Sequence, residues 1–293
     1  MNDIADKVID RPSSNTRQMA PVHVRLGTLL FHVHDDAGLQ RRLQTAIAIA
    51  RAGSAHLRVL QMVPFDAYTV TGVFSSFINP KIVEELEEGA AAVRSRIEAD
   101  LLRSGLSWSL EATAETFVPE VIRRAALSDM LIIGRQPENA EFGRSSLSLL
   151  GEIICKTRTL VCVPGLARTF DPSSPLIIAW DGSVEAVNAV RQALQLIRLA
   201  GEVSIVQLGE IGPAALSSDR IVDYLSWHGV EARAFVLPAE RPLPAALIGC
   251  AHDVQASAIV MGAYGHRRIG EFLFGGVTRE LLRNCPVSLF MAH

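Results

Sequence analysis

One stretch of the 293-residue chain has the residue types and spacing to hold a charged ligand. Gly262 and Gly265 are followed, after nine residues, by Gly275, and then by Gly276, Val277 and Thr278. The apolar run Ala258-Ile259-Val260-Met261 before them reads as a buried strand, and Val277–Arg283 after them reads as a helix. A glycine-rich loop between a buried strand and a helix N-terminus can bind an anion. Glycine lets the backbone approach, and the free N–H groups of the first turn face the ligand. The same glycines could equally serve a tight turn. Arg267 and Arg268 lie inside the loop and could pair with phosphate, although loop charges are solvated by default.

Strands and helices that must position this loop alternate along the chain. In the first half, strands are read at 28–33, 57–63, 108–113, 130–134 and 159–163. Helices are read at about 37–52, along the stripe from Val83 to Leu101, from Pro119 to about Leu127, and from about Leu149 to Lys156. In the second half, strands are read at 176–180, 203–208, 231–236, 258–261 and 287–291, again with helices between them. The fold class is α/β: two tandem, open, mostly parallel five-stranded sheets, Rossmann-like, with helices on both faces.

The halves overlay on each other. Asp35 falls on Asp181 at an offset of 146, as do Leu60-Gln61-Met62 on Val206-Gln207-Leu208. Gly134 falls on Gly262 at an offset of 128, so about eighteen residues are missing between the second and fourth strands of the second half. A single localised length change, with agreement on either side of it, points to an internal duplication. The resulting division is a tail at 1–21, a first domain at 22–165, a Pro/Gly/Ser linker at 166–174 and a second domain at 175–293.

Composition narrows the function classes. A net charge of -3 argues against broad binding to nucleic acid or a membrane surface. No apolar run reaches the roughly 18 residues of a membrane span. The polar first 20 residues are not a signal peptide. Cys155, Cys162, Cys250 and Cys285 lack metal-ligand spacing and read as buried thiols in a reducing cytoplasm. His32 and His34 share one face of a strand, two metal ligands without a third. Phe74–Phe77 in the long 65–80 loop read as packing. Ser145, Ser146 and Ser148 lie in a polar stretch without an adjacent base, and no lysine follows the glycine loop as in a P-loop. Catalysis is therefore not expected.

Asp181-Gly182-Ser183 after the first strand of the second half, the Gly262/Gly265/Gly275 spacing after its fourth, and the closing Pro286-Val287 together resemble the universal stress protein family. That resemblance implies an adenine-nucleotide site at the carboxyl ends of the central strands, where an open α/β sheet also places ligands on topological grounds. By resemblance, Asp181 would meet the adenosine, Ala179 and Leu208 would line the base pocket, and Met261 and Gly262 would floor it. Gly265, Gly275, Gly276 and Val277 would wrap ribose and phosphates, and Thr278 would add a hydroxyl. ATP or another adenine nucleotide is the implied cofactor, in the second half only, and Mg2+ could accompany it. Asp181 has a second reading as a turn residue beside a Ser183 helix cap.

Two departures qualify the resemblance. Gly276 stands where nucleotide-binding members carry Ser or Thr, which removes a hydroxyl contact. In the first half Pro137 replaces the second glycine, removing an N–H, so no nucleotide is expected there. The implied function is nucleotide-responsive stress regulation by a cytoplasmic binding protein that is not an enzyme. The two domains would pair through their terminal strands, with a homodimer as a further option and neither nucleic acid nor membrane as a partner. The alternatives are a nucleotide-free interaction scaffold, a weak ATPase, or a first-half pocket lidded by the 65–80 loop.

Overall fold

A computed structural model of the chain describes residues 25–62, 80–135, 146–209, 212, 215–238, 242–265 and 276–293. The first half comprises β1 (Thr28–Val33), α1 (Leu39–Gly53), β2 (His56–Met62), α2 (Pro80–Ser104), β3 (Trp108–Thr113), α3 (Phe117–Ala125), β4 (Met130–Ile132), α4 (Ser146–Lys156) and β5 (Leu160–Val163). The second comprises β6 (Leu176–Trp180), α5 (Val184–Ile197), β7 (Val203–Leu208), α6 (Ser218–Trp227), β8 (Ala232–Leu237), α7 (Leu243–Asp253), β9 (Ala258–Gly262), α8 (Gly276–Asn284) and β10 (Ser288–Ala292). The strands sit within a residue or two of where apolar runs and turn residues place them. The last helix of the first half starts earlier than its apolar stripe suggests, so Ser146 and Ser148 are helical. The length change between the halves falls largely in one element: α2 has 25 residues and its counterpart α6 has 10. Ser145, Pro137 and the 65–79 stretch lie outside the described residues.

Within each half the strands are parallel, in the orders β3-β2-β1-β4-β5 and β8-β7-β6-β9-β10, which are the same permutation. The two halves do not form separate sheets. β10 pairs antiparallel with β5, giving one ten-stranded sheet in the order β3-β2-β1-β4-β5-β10-β9-β6-β7-β8. Burial follows this order. Every residue of β4, β5 and β10 is buried, whereas the edge strands β3 and β8 are partly exposed. Parallel strands covered on both faces must be apolar throughout, and edge strands need not be.

Two cores run the length of the sheet, one per face. On one face β-strand side chains such as Phe31, Ile132, Ile178 and Val260 pack under α1, α2, α5 and α6. On the other, residues such as Leu30, Leu131, Ile177 and Ile259 pack under α3, α4, α7 and α8. Alternation of side chains along each strand sorts residues between them.

At the seam, Cys162 pairs with Phe290, and an offset of 128 relates these two as it relates Leu131 to Ile259. The pseudo-two-fold axis of the duplication therefore passes through this pair. The segment after β5 is packed against the seam. Leu166, Ala167 and Arg168 donate backbone N–H bonds to Cys285 and Pro286 carbonyls, and Phe170 stacks edge-on against Phe290 at 5.0 Å.

Arg135 crosses the boundary. Its guanidinium donates to the carbonyls of Pro164 and Leu282, and to Cys285 O at 3.5 Å. Leu282 and Cys285 lie at the C-terminal end of α8, where carbonyls lack intrahelical donors and a cation opposes the helix dipole favourably. Burial pulls the Arg135 pKa down to about 10, still well above neutrality, so it stays charged. Removing it strands these acceptors in a buried place. Arg135→Ala should lower global stability by about 2–4 kcal/mol, measured by urea unfolding, since loss of one partner of a buried charged network costs that much. A loss under about 0.5 kcal/mol would show that the seam does not depend on this side chain.

Candidate functional site

The candidate site lies at the carboxyl ends of β6 and β9. These strands are adjacent, and their register puts Ala179 beside Met261. Ala179 is half-buried and Met261 is buried. β6 ends at Trp180, and Asp181 follows as an exposed turn residue. Its Oδ1 accepts the Ser183 N–H at 3.0 Å, and Ser183 Oγ in turn accepts the Ala186 N–H at 3.1 Å. Ser183 is therefore the N-cap of α5, and Asp181 braces the turn before it. Gly182 sits at φ 72 under Leu216, a conformation and a gap that only glycine meets without strain. Trp180 Nε1 holds the same Leu216 through its carbonyl at 2.9 Å.

Gly262 and Gly265 touch the start of α5. A Cβ on Gly262 would stand 2.5 Å from Ala186 N, and one on Gly265 would stand 2.6 Å from Glu185 Oε2. Both glycines thus have a packing reason, independent of any ligand. Gly276 is different: it opens α8, and a Cβ there would meet nothing within 4 Å among the described residues. Val277 is half-buried and Thr278 is buried at 5% exposure. The structure brings Ala179, Asp181, Met261, Gly262 and Gly265 to one edge. Gly276–Thr278 form the first turn of the helix that leads into β10, the neighbour of β9. The backbone of Leu208 ends β7, in register with Leu237. Gly275, His266, Arg267 and Arg268 lie outside the described residues. Sequence reasoning missed Glu185. Its signal was its place two residues after a Ser N-cap, where an acid favours the helix dipole.

The chain is similar to known proteins in sequence and in fold. Residues 238–293 match the Universal stress protein family. A universal stress protein of Synechocystis sp. is 23% identical over 168 residues, covering 55% of this chain and 56% of that protein. The match thus spans little more than half the length of that relative. The fold is that of a universal stress protein from Archaeoglobus fulgidus, with a TM-score of 0.70 at 16% identity over 92% of this chain and 97% of that one. A protein of unknown function from Pseudomonas aeruginosa PAO1 has a TM-score of 0.58 at 13% identity, over 92% and 93% of the two chains. The chain is thus similar to universal stress proteins, in sequence over residues 238–293 and in fold over most of its length.

With its unit duplicated, the chain carries its own comparison in the first half. Here the structure corrects the overlay of the halves. Phe31 pairs with Ile132, and Ile178 pairs with Val260. Since Ile132 and Val260 are counterparts at 128, Phe31 and Ile178 are counterparts at 147. The same offset carries the buried Arg42, Leu43 and Ala46 of α1 onto Ala189, Val190 and Ala193 of α5. The offset returns to 146 in β2, where Val59 and Ile205 are counterparts. Asp181 therefore corresponds to His34, and Ala179 to His32. The acids at 35 and 181 agree in type but not in place, and a one-residue slip reverses every side chain on a strand. Asp35 is exposed and bonds Arg96 at 2.7 Å.

The first-half strand ends are filled from within. Arg42, 6% exposed, takes the place of Ala189 and lies on Gly134, where a Cβ would stand 2.5 Å from its Cδ. Its Nη1 pairs with Asp36 at 2.7 Å, and its Nη2 donates to His34 O at 2.5 Å. His32, 2% exposed, lies 4.9 Å ring to ring from Phe117, where the second half has only Ala179. A guanidinium and an imidazole thus stand where the other half carries two alanines. Among the described residues no cluster of three metal-ligating side chains includes these histidines.

Burial, then the nearby His34 and Arg42, push the His32 pKa from 6.5 to about 3. The sign follows directly. The folded chain keeps this ring neutral, whereas the unfolded chain takes up a proton below about pH 6.5. The stability is full above pH 6.5 and is lost as pH falls toward about 3. Each pH unit in that window removes up to about 1.4 kcal/mol. His32→Leu should flatten the acid limb of stability between pH 6 and pH 4, followed by urea midpoints. An unchanged limb would show that other groups set it.

Proposed function

We propose that the second half binds an adenine nucleotide at the carboxyl edge of β6 and β9, and that the first half does not. The carrying observation is convergence. Ala179 and Met261 lie side by side on adjacent strands, Asp181 extends from one of them, and Gly262 and Gly265 continue the other. Gly276 leaves the N-terminus of α8 uncovered by any side chain of its own. These residues suit an adenosine on the small and apolar positions and a phosphate at glycine backbone and free helix N–H groups. Arg42 and His32 take up the equivalent space in the first half.

On this reading the protein is a nucleotide-responsive stress regulator or adaptor rather than an enzyme, acting in the cytoplasm. Asp181 is engaged in bracing a turn. Among the described residues, no helix is long and apolar enough to cross a membrane. Mg2+ would enter with the nucleotide phosphates. A second reading, a nucleotide-free scaffold, draws on the packing partners that Gly262 and Gly265 already have in Glu185 and Ala186.

Calorimetric titration of the full chain with ATP and ADP separates the two. Binding is expected. Asp181→Ala should weaken it about tenfold or more, through loss of the braced turn and of the carboxylate. Gly276→Ser should tighten it about tenfold or more, because the open surroundings accept the side chain and a hydrogen bond to a charged group is worth about 1.5–3 kcal/mol. No heat at millimolar nucleotide with either the natural chain or Gly276→Ser would favour the scaffold.

A further inference from the structure

We infer that Glu185 makes this strand-end site discriminate against phosphate charge, so that it favours adenosine and its monophosphate over the triphosphate. The inference rests on the nucleotide reading above and adds to it the class of ligand. Glu185 is the second residue of α5, directly after the N-cap turn that Asp181 braces. Its Oε2 lies against Gly265, 2.6 Å from where a Cβ would be, and its Cβ and backbone lie against Gly262. A carboxylate thus stands at the start of the glycine stretch that would receive phosphates. Among the described residues, Glu185 has neither a hydrogen bond nor an ion pair that would neutralise it. Asp181, the other acid of this edge, is exposed and bonded to the Ser183 amide.

The internal duplicate shows that the fold does not demand an acid here. Glu185 corresponds to Gly38 at the offset of 147 that relates α1 to α5. Beside Gly38 lies an ion pair: a Cβ there would stand 2.8 Å from Arg42 Nη1 and 3.1 Å from Asp36 Oδ1, which are bonded to each other. The same corner of the fold thus carries a compensated ion pair in one half and a carboxylate with no cation bonded to it among the described residues in the other. A helix N-terminus tolerates an acid, which explains how Glu185 is accommodated. Its cost falls on any anion brought to Gly265. Two like charges about 5 Å apart near a surface repel enough to change an affinity about tenfold, and each added phosphate adds to that effect.

The test is calorimetric titration of the full chain and of Glu185→Gln with adenosine, AMP and ATP in EDTA. The natural chain should bind ATP no more tightly than adenosine. Glu185→Gln should shift the ATP-to-adenosine affinity ratio about tenfold toward ATP, with AMP between. A ratio that stays unchanged, or moves toward adenosine, overturns this inference while the nucleotide reading stands. Absence of binding to all three ligands by both proteins overturns the nucleotide reading, and this inference with it.

Discussion

The pairing of β5 with β10 is the constraint on which the molecule depends. Both strands are buried at every position. Their antiparallel register, Val161 to Met291 and Val163 to Leu289, fixes how the two halves face each other. A parallel five-stranded sheet left alone would expose β5 or β10 as an apolar edge, an open template for aggregation. Pairing the two like edges removes both hazards and joins the cores, so that each face carries one hydrophobic layer across ten strands. The duplication makes this possible: a unit pairs with its own copy about an axis through Cys162 and Phe290.

With the scaffold thus symmetric, the differences between the halves concentrate at the carboxyl ends of the strands. There the sequence is free to vary, because those residues leave the sheet. In the first half Arg42 and His32 stand where the second half carries Ala189 and Ala179. Arg42 is anchored by Asp36 and His34, so the filled site is a stable arrangement in its own right. In the second half the helix start reaches Gly262 and Gly265 through Glu185, and Gly276 stays uncovered. One half carries a guanidinium and an imidazole at its strand ends, and the other carries small residues there.

Much of this was legible in the chain itself. Apolar runs bounded by Gly, Pro and Asp located the strands, since burial on both faces requires uninterrupted hydrophobicity. The length difference between halves was visible as a change of offset, and it fell on α2 and α6. Ser183 was readable as a cap from its place before an apolar stripe. The overlay of Asp35 on Asp181 was misleading. Residue type carries no register, and only the pairing of Phe31 with Ile132 and Ile178 with Val260 revealed the slip. Neither Arg42 nor Arg135 gave a signal: Arg42 is buried by lying on Gly134 of a distant strand end, and the partners of Arg135 are backbone carbonyls, which no residue type announces.

The sequence by itself determined the α/β class, the duplication and the candidate glycine loop, since these follow from local periodicity and from spacing within one half. The tertiary structure alone decided that the halves share one sheet, that His34 rather than Asp35 is the counterpart of Asp181, and that Arg42 fills one strand end while Glu185 borders the other. The physical reason is the same in each case. Strand register and side-chain reach depend on contacts between segments more than a hundred residues apart or across a sheet, and these exist only once the chain has packed.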